Sequence, residues 1–365
     1  MAGVYIHIPF CKSRCVYCDF YSTTGLEWRQ RYVDAVSREY QIRHQYLNER
    51  VRTLYIGGGT PSQLTVPQLQ QLLETIAVGA DEVTLECNPD DVTDEFVQGL
   101  ATLPVNRVSM GAQTFSDQRL RFLHRRHTAG QVIAAVERLR GIDIQNISID
   151  LIYGFPEETL RQWHEDIDAA LSLEVEHLSA YALQYEEGTL LGRWLQKGQV
   201  REIDEELSRQ MYYDLIDRLA QAGYEHYEIS NFARPDYRSR HNSGYWNQTP
   251  YLGLGAAAHS FDGCSRQSNV ADVRQYIEGV ESGRLCVECE ELDANTQYNE
   301  MVMTALRTCE GLALSSLTAV RRDYCLGQAR PYLEAGLLKM ADDHIRLTRE
   351  GLFVSDMIIS DMMMV

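Results

Sequence analysis

The sequence predicts an α/β fold built on a parallel sheet, and two observations predict it. Short runs rich in Val, Ile, Leu, Ser and Tyr alternate six times with stretches whose apolar residues recur at helical spacing. A helix between successive strands is the crossover that parallel pairing requires. The residues with distinctive chemistry also fall just after the strand-like runs, at the edge where such sheets carry their sites. The six units close as a barrel or partial barrel, or lie open as a doubly wound sheet.

The first strand is expected at Val4–Ile8 and its helix at Trp28–Tyr40. Thr53–Ile56 leads to Val66–Ile76, and Val83–Glu86 leads to Asp94–Leu100. Thr65 and Thr93 stand where N-caps belong. Arg107–Met110 precedes Gln131–Leu139, Ile147–Leu151 precedes Leu160–Leu171, and His177–Leu183 precedes Glu205–Ala222. From about Asn299 the pattern changes. Met301–Leu306, Leu314–Arg321 and Ala329–Ala335 have helical spacing, Gly336–Met340 and His344–Leu347 suit a hairpin, and Gly351–Met362 suits a last helix. Helices followed by a small hairpin predict a winged-helix-like α+β module. The chain then divides into a core domain at 1–235, a connecting region at 236–290 and a C-terminal module at 291–365.

Composition bounds the function. Of 365 residues, 44% are hydrophobic and 24% charged, the balance of a folded protein rather than a disordered chain. Lys and Arg number 34 against 52 Asp and Glu, a net charge of −18. That sign argues against a protein that grips nucleic acid through phosphates, or rests on an anionic membrane. The C-terminal module repeats the imbalance from Glu291 onward, with 7 basic against 11 acidic residues, so a protein contact or a lid fits it better than DNA. No apolar run reaches the roughly 20 residues of a membrane-spanning helix. MAGVYIHIPFCKSRC lacks a basic region followed by an apolar stretch, so the expected compartment is the cytoplasm. Nine cysteines there read as thiols or metal ligands rather than disulfides.

Three of those cysteines, Cys11, Cys15 and Cys18, crowd into CKSRCVYC. Thiolates that bind different irons of one small cube must be close in sequence on a curled loop, and this spacing suits a [4Fe–4S] cluster. Three ligands leave one iron open to a small molecule. A zinc site completed by His7 is the alternative. Cys286 and Cys289 form a further CxxC with no partner pair nearby, read as carrying no special chemistry. Gly57-Gly58-Gly59-Thr60-Pro61 is a tight turn or an exposed backbone cradle; with no Gly-Lys-Ser/Thr after it, it is not a phosphate loop. Glu86 and Asp150 end two strands on the same predicted rim.

CKSRCVYC, preceded by YIHIPFC and followed by GGGTP, LECNP, SMGAQTF and DLIYGFP, resembles the radical S-adenosylmethionine (SAM) superfamily. Within it the chain is similar to the branch of oxygen-independent coproporphyrinogen oxidases and HemW-type haem chaperones. The resemblance spans essentially the whole chain and implies a partial (β/α)6 barrel with a C-terminal winged-helix-like module. It implies that Cys11, Cys15 and Cys18 hold the cluster and that SAM chelates the fourth iron. It further implies that Tyr5, Tyr17, Gly58, Gly59, Thr60, Glu86, Gln113, Arg125, Asp150 and Ala182 line the SAM site. The chemistry agrees, since carboxylates suit ribose hydroxyls and a sulfonium, and an arginine suits a carboxylate.

Two features separate the branches. The oxidases carry a fourth cysteine two residues after the third, where this chain has Phe20, and a longer segment ahead of the cluster, where ten residues precede Cys11. Both speak against decarboxylation of coproporphyrinogen. HNSGYW matches the chaperones' His-Asn-x-x-Tyr-Trp signature and makes His241, Tyr245 and Trp246 the expected haem contacts, with His259 as a rival ligand. The alternative is a loop with Tyr245 and Trp246 in the core and His241 on the surface. The resemblance thus implies a haem chaperone serving apo-haemoproteins, respiratory membrane enzymes among them, with an electron donor and without membrane insertion. A coproporphyrinogen-oxidase-like radical enzyme is the alternative.

Overall fold

A computed structural model describes residues 2–77 and 79–364. Six parallel strands form its centre: β1 (Ala2–Ile8), β2 (Val51–Gly58), β3 (Glu82–Cys87), β4 (Arg107–Gln113), β5 (Asn146–Tyr153) and β6 (His177–Ala182). Each is followed by helix, in order α1 (Arg29–Arg43), α2 (Val66–Ile76), α3 (Asp94–Leu100), α4 (Asp117–Phe122) with α5 (Ala129–Arg140), and α6 (Leu160–Ser172). After β6 come α7 (Leu190–Gln196) and α8 (Glu205–Gln221). The strands pair in chain order, and residues of β1 and β6 line one cavity, so the sheet curls around it. The barrel expectation holds over the open sheet.

Local chemistry accounts for these helices. Thr65 and Gln68 form a capping box at α2, and the Thr93 hydroxyl accepts from the Phe96 N–H at α3. Thr128 and Thr159 form capping boxes with Gln131 and Gln162 at α5 and α6. The buried faces, such as Leu69, Leu72, Leu73 and Ile76 of α2, join Val4, Ile6, Ile56, Leu85, Val108 and Ile149 in one core. The outer side of the barrel wall is therefore apolar and its inner side is left to polar residues.

The sheet is longer than the sequence suggests. β7 (Glu225–Glu228) and β8 (Asn231–Ala233) extend it antiparallel beyond β6. After α9 (Arg240–Trp246), β9 (Tyr251–Leu254) runs parallel beside β1, followed outward by β10 (His259–Phe261), β11 (Ser265–Asn269) and, past α10 (Val273–Glu281), β12 (Val287–Glu291). Residues 236–290 thus pack Leu252, Leu254, Ile277 and Val280 into the same core as the barrel. A buried Glu39–Arg43 pair on α1, bonded to Asn269, Tyr276 and Gln267, ties this extension down.

The C-terminal part has its own core around Tyr298, Val302, Cys325, Ile345 and Ile358. It comprises α11 (Ala294–Ala305), β13 (Leu312–Ala313), α12 (Ala319–Glu334), the hairpin β14 (Leu338–Ala341) and β15 (His344–Leu347), then α13 (Arg349–Phe353) and α14 (Ser355–Met362). Of the helix expected at 314–321, residues 314–316 form a 3-10 turn and only 319–321 are α-helical; they run on without a break through the helix expected at 329–335 as α12, across Gly327 and Pro331.

Candidate cluster and cofactor site

The chain leaves β1 at Ile8 and turns through a loop that carries all three clustered cysteines. Two backbone bonds pin its base, Cys11 N–H to the Thr23 carbonyl at 2.9 Å and Thr23 N–H to that of Pro9 at 2.7 Å. Its middle is fixed by Val16, buried with Leu123, Ile152, Phe155, Leu183 and Leu191. Lys12 adds an ion pair to Asp91 at 2.9 Å. A loop anchored at three points holds its thiols in fixed places, which a polynuclear metal centre requires.

Cys11 is buried and Cys15 and Cys18 are half-buried; all are free thiols. They line one cavity of about 660 Å³ inside the barrel. The same cavity is lined by Tyr5, Tyr17, Gly58, Gly59, Thr60, Glu86, Gln113, Arg125, Asp150 and Ala182. The structure therefore gathers around one space every residue that the resemblance implied for cluster and SAM. Arg125 faces Cys15, with Nη1 3.5 Å from the sulfur, and donates to the Gly111 carbonyl. The adjacent Arg126 also borders the cavity but pairs with Asp90 and Asp91.

The glycine segment is a cradle as well as a turn. Gly58 sits at φ +111°, a left-handed conformation that suits glycine, and its N–H donates to Glu86 Oε2 at 3.1 Å. A Cβ on Gly59 would fall 3.0 Å from Cys11 Sγ and 2.8 Å from the Pro9 carbonyl carbon. Glu86 Oε1 also accepts from the Tyr55 hydroxyl at 2.7 Å. Recession into the cavity wall pushes the Glu86 carboxyl up to about 7, against the pull of the Tyr55 bond. The same burial pushes Asp150 up to about 6, opposed by its bond with Ser179 and the charge of Arg107. At the end of β4, Gln113 takes φ +65°, an uncommon conformation for a non-glycine residue and one that clusters at functional sites.

This donor set fits a cluster held by three thiolates. Burial raises the Cys11 thiol and pushes Cys18 up to about 11, so a metal is what would draw them into the thiolate form. His7 is not available as a zinc ligand. Its Nε2 donates to the Tyr21 carbonyl at 3.0 Å, so its Nδ1 accepts from the Tyr5 hydroxyl at 3.1 Å. Among the described residues, no three Cys, His, Asp or Glu side chains gather as around a single ion. Each thiolate of a cuboidal cluster binds a different iron, so its ligands need not converge on one point.

The HNSGYW residues do not form one site. They make α9, a short helix beneath the N-terminal ends of β1–β3. Ser239 caps it, and Glu82 accepts the Arg240 and His241 N–H groups at 3.1 and 3.0 Å. His241 is buried, not on the surface, and both ring nitrogens are engaged. Nδ1 is 2.9 Å from Thr53 Oγ1 and Nε2 is 2.9 Å from the Tyr245 hydroxyl. Its ring stacks on Tyr55 at 5.2 Å, and burial first, then the charge of Arg107, pushes it down to about 3. The imidazole is therefore neutral and already fully used. Tyr245 divides the upper cavity from a second one of about 520 Å³ below it, which His241 also lines. Trp246 lines neither; Arg307 of the segment after α11 lies 5.3 Å over its ring. The expected haem trio is thus split among floor, partition and module contact. His259 is exposed on β10 and lines neither cavity.

Sequence reading missed Thr53 and Glu82, which position α9, and Arg107, buried in the cavity wall. Phe20, in place of the oxidases' fourth cysteine, is an exposed ring lining the cavity.

Comparison with known proteins agrees with this geometry. Residues 5–170 match the Radical SAM superfamily and residues 292–354 match the HemN C-terminal domain. Heme chaperone HemW of Lactococcus lactis is 38% identical over 85% of this chain and 82% of its own. The heme chaperone HemW proteins of Mycobacterium tuberculosis and Escherichia coli are 35% and 31% identical, each over 98% of this chain and over 93% and 97% of theirs. The solved structure of coproporphyrinogen III oxidase (HemN) from Escherichia coli shares the fold at a TM-score of 0.84 and 22% identity, covering 99% of this chain and 89% of that one. Fold, cysteine loop and cavity define a protein of the radical SAM superfamily. Within that superfamily, the chain belongs to the HemW family.

Proposed function

We propose that this chain is a haem chaperone: it binds haem, holds a [4Fe–4S] cluster with exchangeable SAM, and passes the haem to apo-haemoproteins. One observation carries the reading. Cys11, Cys15 and Cys18 open into the same cavity as the Gly58–Thr60 backbone, Glu86, Asp150 and Arg125, in a chain similar over most of its length to proteins named heme chaperones. When bound, the cluster supplies an iron with an open position and one-electron reducing power.

The chain's own residues do the rest. The three thiolates anchor the metal, and Gly59 keeps the space beside Cys11 clear of side chain. Glu86 and Asp150 accept from ribose hydroxyls and attract the sulfonium, while Arg125 attracts the carboxylate. Of His241, Tyr245 and Trp246, Tyr245 is the one a ligand in the cavity meets directly, and His241 holds its hydroxyl. Acceptors include respiratory enzymes at the membrane, and the site of action is the cytoplasm. Among the described residues no helix is long and apolar enough to cross a membrane.

Anaerobic reconstitution tests the reading. The loaded protein should hold about four irons per chain, take up haemin with a saturable Soret band, and surrender it to an apo-haemoprotein. Cluster-loaded protein that binds no haemin would overturn it.

A further inference from the structure

The inner wall of the barrel holds a guanidinium that no carboxylate touches. Arg107 opens β4 and lines the cavity, yet its side chain is 1% exposed. Its Nε and Nη1 have no hydrogen-bond partner, and it makes no ion pair among the described residues. The neighbour in register on β3 is Thr84, fully buried, and its hydroxyl is also unpartnered. Registered residues on adjacent strands share a face, so these two orphaned groups point the same way.

Among the described residues, no side chain in the surroundings bonds the guanidinium. His177 and His241 are neutral and both feel its charge. His177 is itself fully used, by Ser148 Oγ at 2.7 Å and the Tyr227 hydroxyl at 2.7 Å. Glu86 and Asp150 feel the charge too and balance part of it when ionised, but neither bonds the guanidinium: Glu86 accepts from Tyr55 and Gly58, and Asp150 bonds Ser179. A buried, unpaired guanidinium is among the costliest groups a fold can carry. Its planar fork matches a carboxylate in two-point contact.

We propose that the inner end of the cavity is a carboxylate subsite centred on Arg107, with the Thr84 hydroxyl beside it. Resting on the haem-chaperone reading, its occupant is a propionate of the cargo rather than the carboxylate of SAM. Arg125, beside Cys15, already stands near the thiols for the latter. Arg107 lies at the opposite end of β4 from Gln113, six residues or roughly 20 Å along the strand. A rigid planar ligand that enters from the cysteine rim with a carboxylate leading spans that depth and places its acid on the guanidinium.

The test compares haemin with haemin dimethyl ester, which lacks the free acids, by Soret titration of the reconstituted full chain. Native protein should prefer haemin by about tenfold, the discrimination a charge-assisted contact supplies. Arg107→Met, similar in length and uncharged, should erase the preference by weakening haemin alone, and Arg107→Lys should restore part of it. A preference that survives Arg107→Met, or equal weakening of both ligands, overturns the subsite. An Arg107→Met variant that keeps the preference and loses SAM affinity assigns Arg107 to the cofactor and overturns the cargo assignment. Should native protein bind neither porphyrin, the haem reading fails, and acetate decides the subsite alone. At constant ionic strength against chloride, acetate should raise the melting midpoint of the native protein and not that of Arg107→Met. No acetate-specific rise in the native protein overturns the subsite independently of haem.

Discussion

His241 Nε2 and the Tyr245 hydroxyl lie 2.9 Å apart, one turn along the same short helix, and that contact forms the floor between two cavities. The histidine cannot bond its neighbours and a metal at once. Thr53 and Tyr245 take both nitrogens, and Glu82 holds the backbone above them. In this structure HNSGYW closes the bottom of the barrel and fixes the Tyr245 hydroxyl.

His241→Ala should therefore act on stability first. It empties a fully packed ring site and strands the Thr53 and Tyr245 hydroxyls, a loss of about 3 kcal/mol. Tyr245→Phe should cost about 1 kcal/mol, since it removes one hydrogen bond and keeps the ring. Urea unfolding of both variants checks this. An unchanged midpoint for His241→Ala, with an altered Soret spectrum, would instead mark His241 as a haem ligand.

Acid should loosen the same floor. The folded His241 is held near 3, while an unfolded histidine titrates near 6.5. Below 6.5 the unfolded chain takes a proton that the folded chain refuses. Stability from this residue is complete above that pH and falls by about 1.4 kcal/mol per unit as pH drops from 6.5 toward 3. Midpoints measured between pH 7.5 and about 5 should decline less in a folded His241→Gln variant than in the native chain.

SAM binding should weaken in acid as well. Glu86 and Asp150, raised to about 7 and 6, are largely protonated in the empty site at acidic pH and ionised above neutrality. The sulfonium prefers the ionised forms, so affinity should rise by about tenfold from pH 5.5 to 8. Glu86→Gln should flatten the upper part of that rise. Equilibrium dialysis of cluster-loaded protein measures both, and a flat native profile would contradict the assignment.

Gly59→Ala tests the cradle without touching a thiol. The added carbon would sit 3.0 Å from Cys11 Sγ against backbone that cannot withdraw. Iron content after reconstitution should fall severalfold, with far-UV circular dichroism unchanged. Full iron loading would show that the space beside Cys11 is not needed.

The barrel was legible because its signals are local. Val66–Ile76 and Asp94–Leu100 carry threonine caps and apolar stripes, and the helices occupy those residues. The chemistry was legible because it clusters after strands, so the cysteine loop, GGGTP, Glu86 and Asp150 were found on one rim. What escaped depends on distant partners. β11 (SRQSN) and β12 (VECEE) alternate no apolar residues and exist by pairing with each other and β10. HNSGYW is poor in helix formers and is held helical by Ser239 and by Glu82, more than 150 residues away. Two helices were expected where α12 runs unbroken through Gly327 and Pro331. Arg107 carried no sequence signal, since its importance lies in having no partner.

A cluster with three protein thiolates and one open iron is the centre of the proposed function. Mössbauer spectroscopy of anaerobically reconstituted, isotopically labelled protein tests this most directly. One of about four irons should become distinct when SAM is added, and that response should vanish in Cys15→Ser. Irons that remain equivalent with SAM, or protein that holds zinc and no iron, would contradict it.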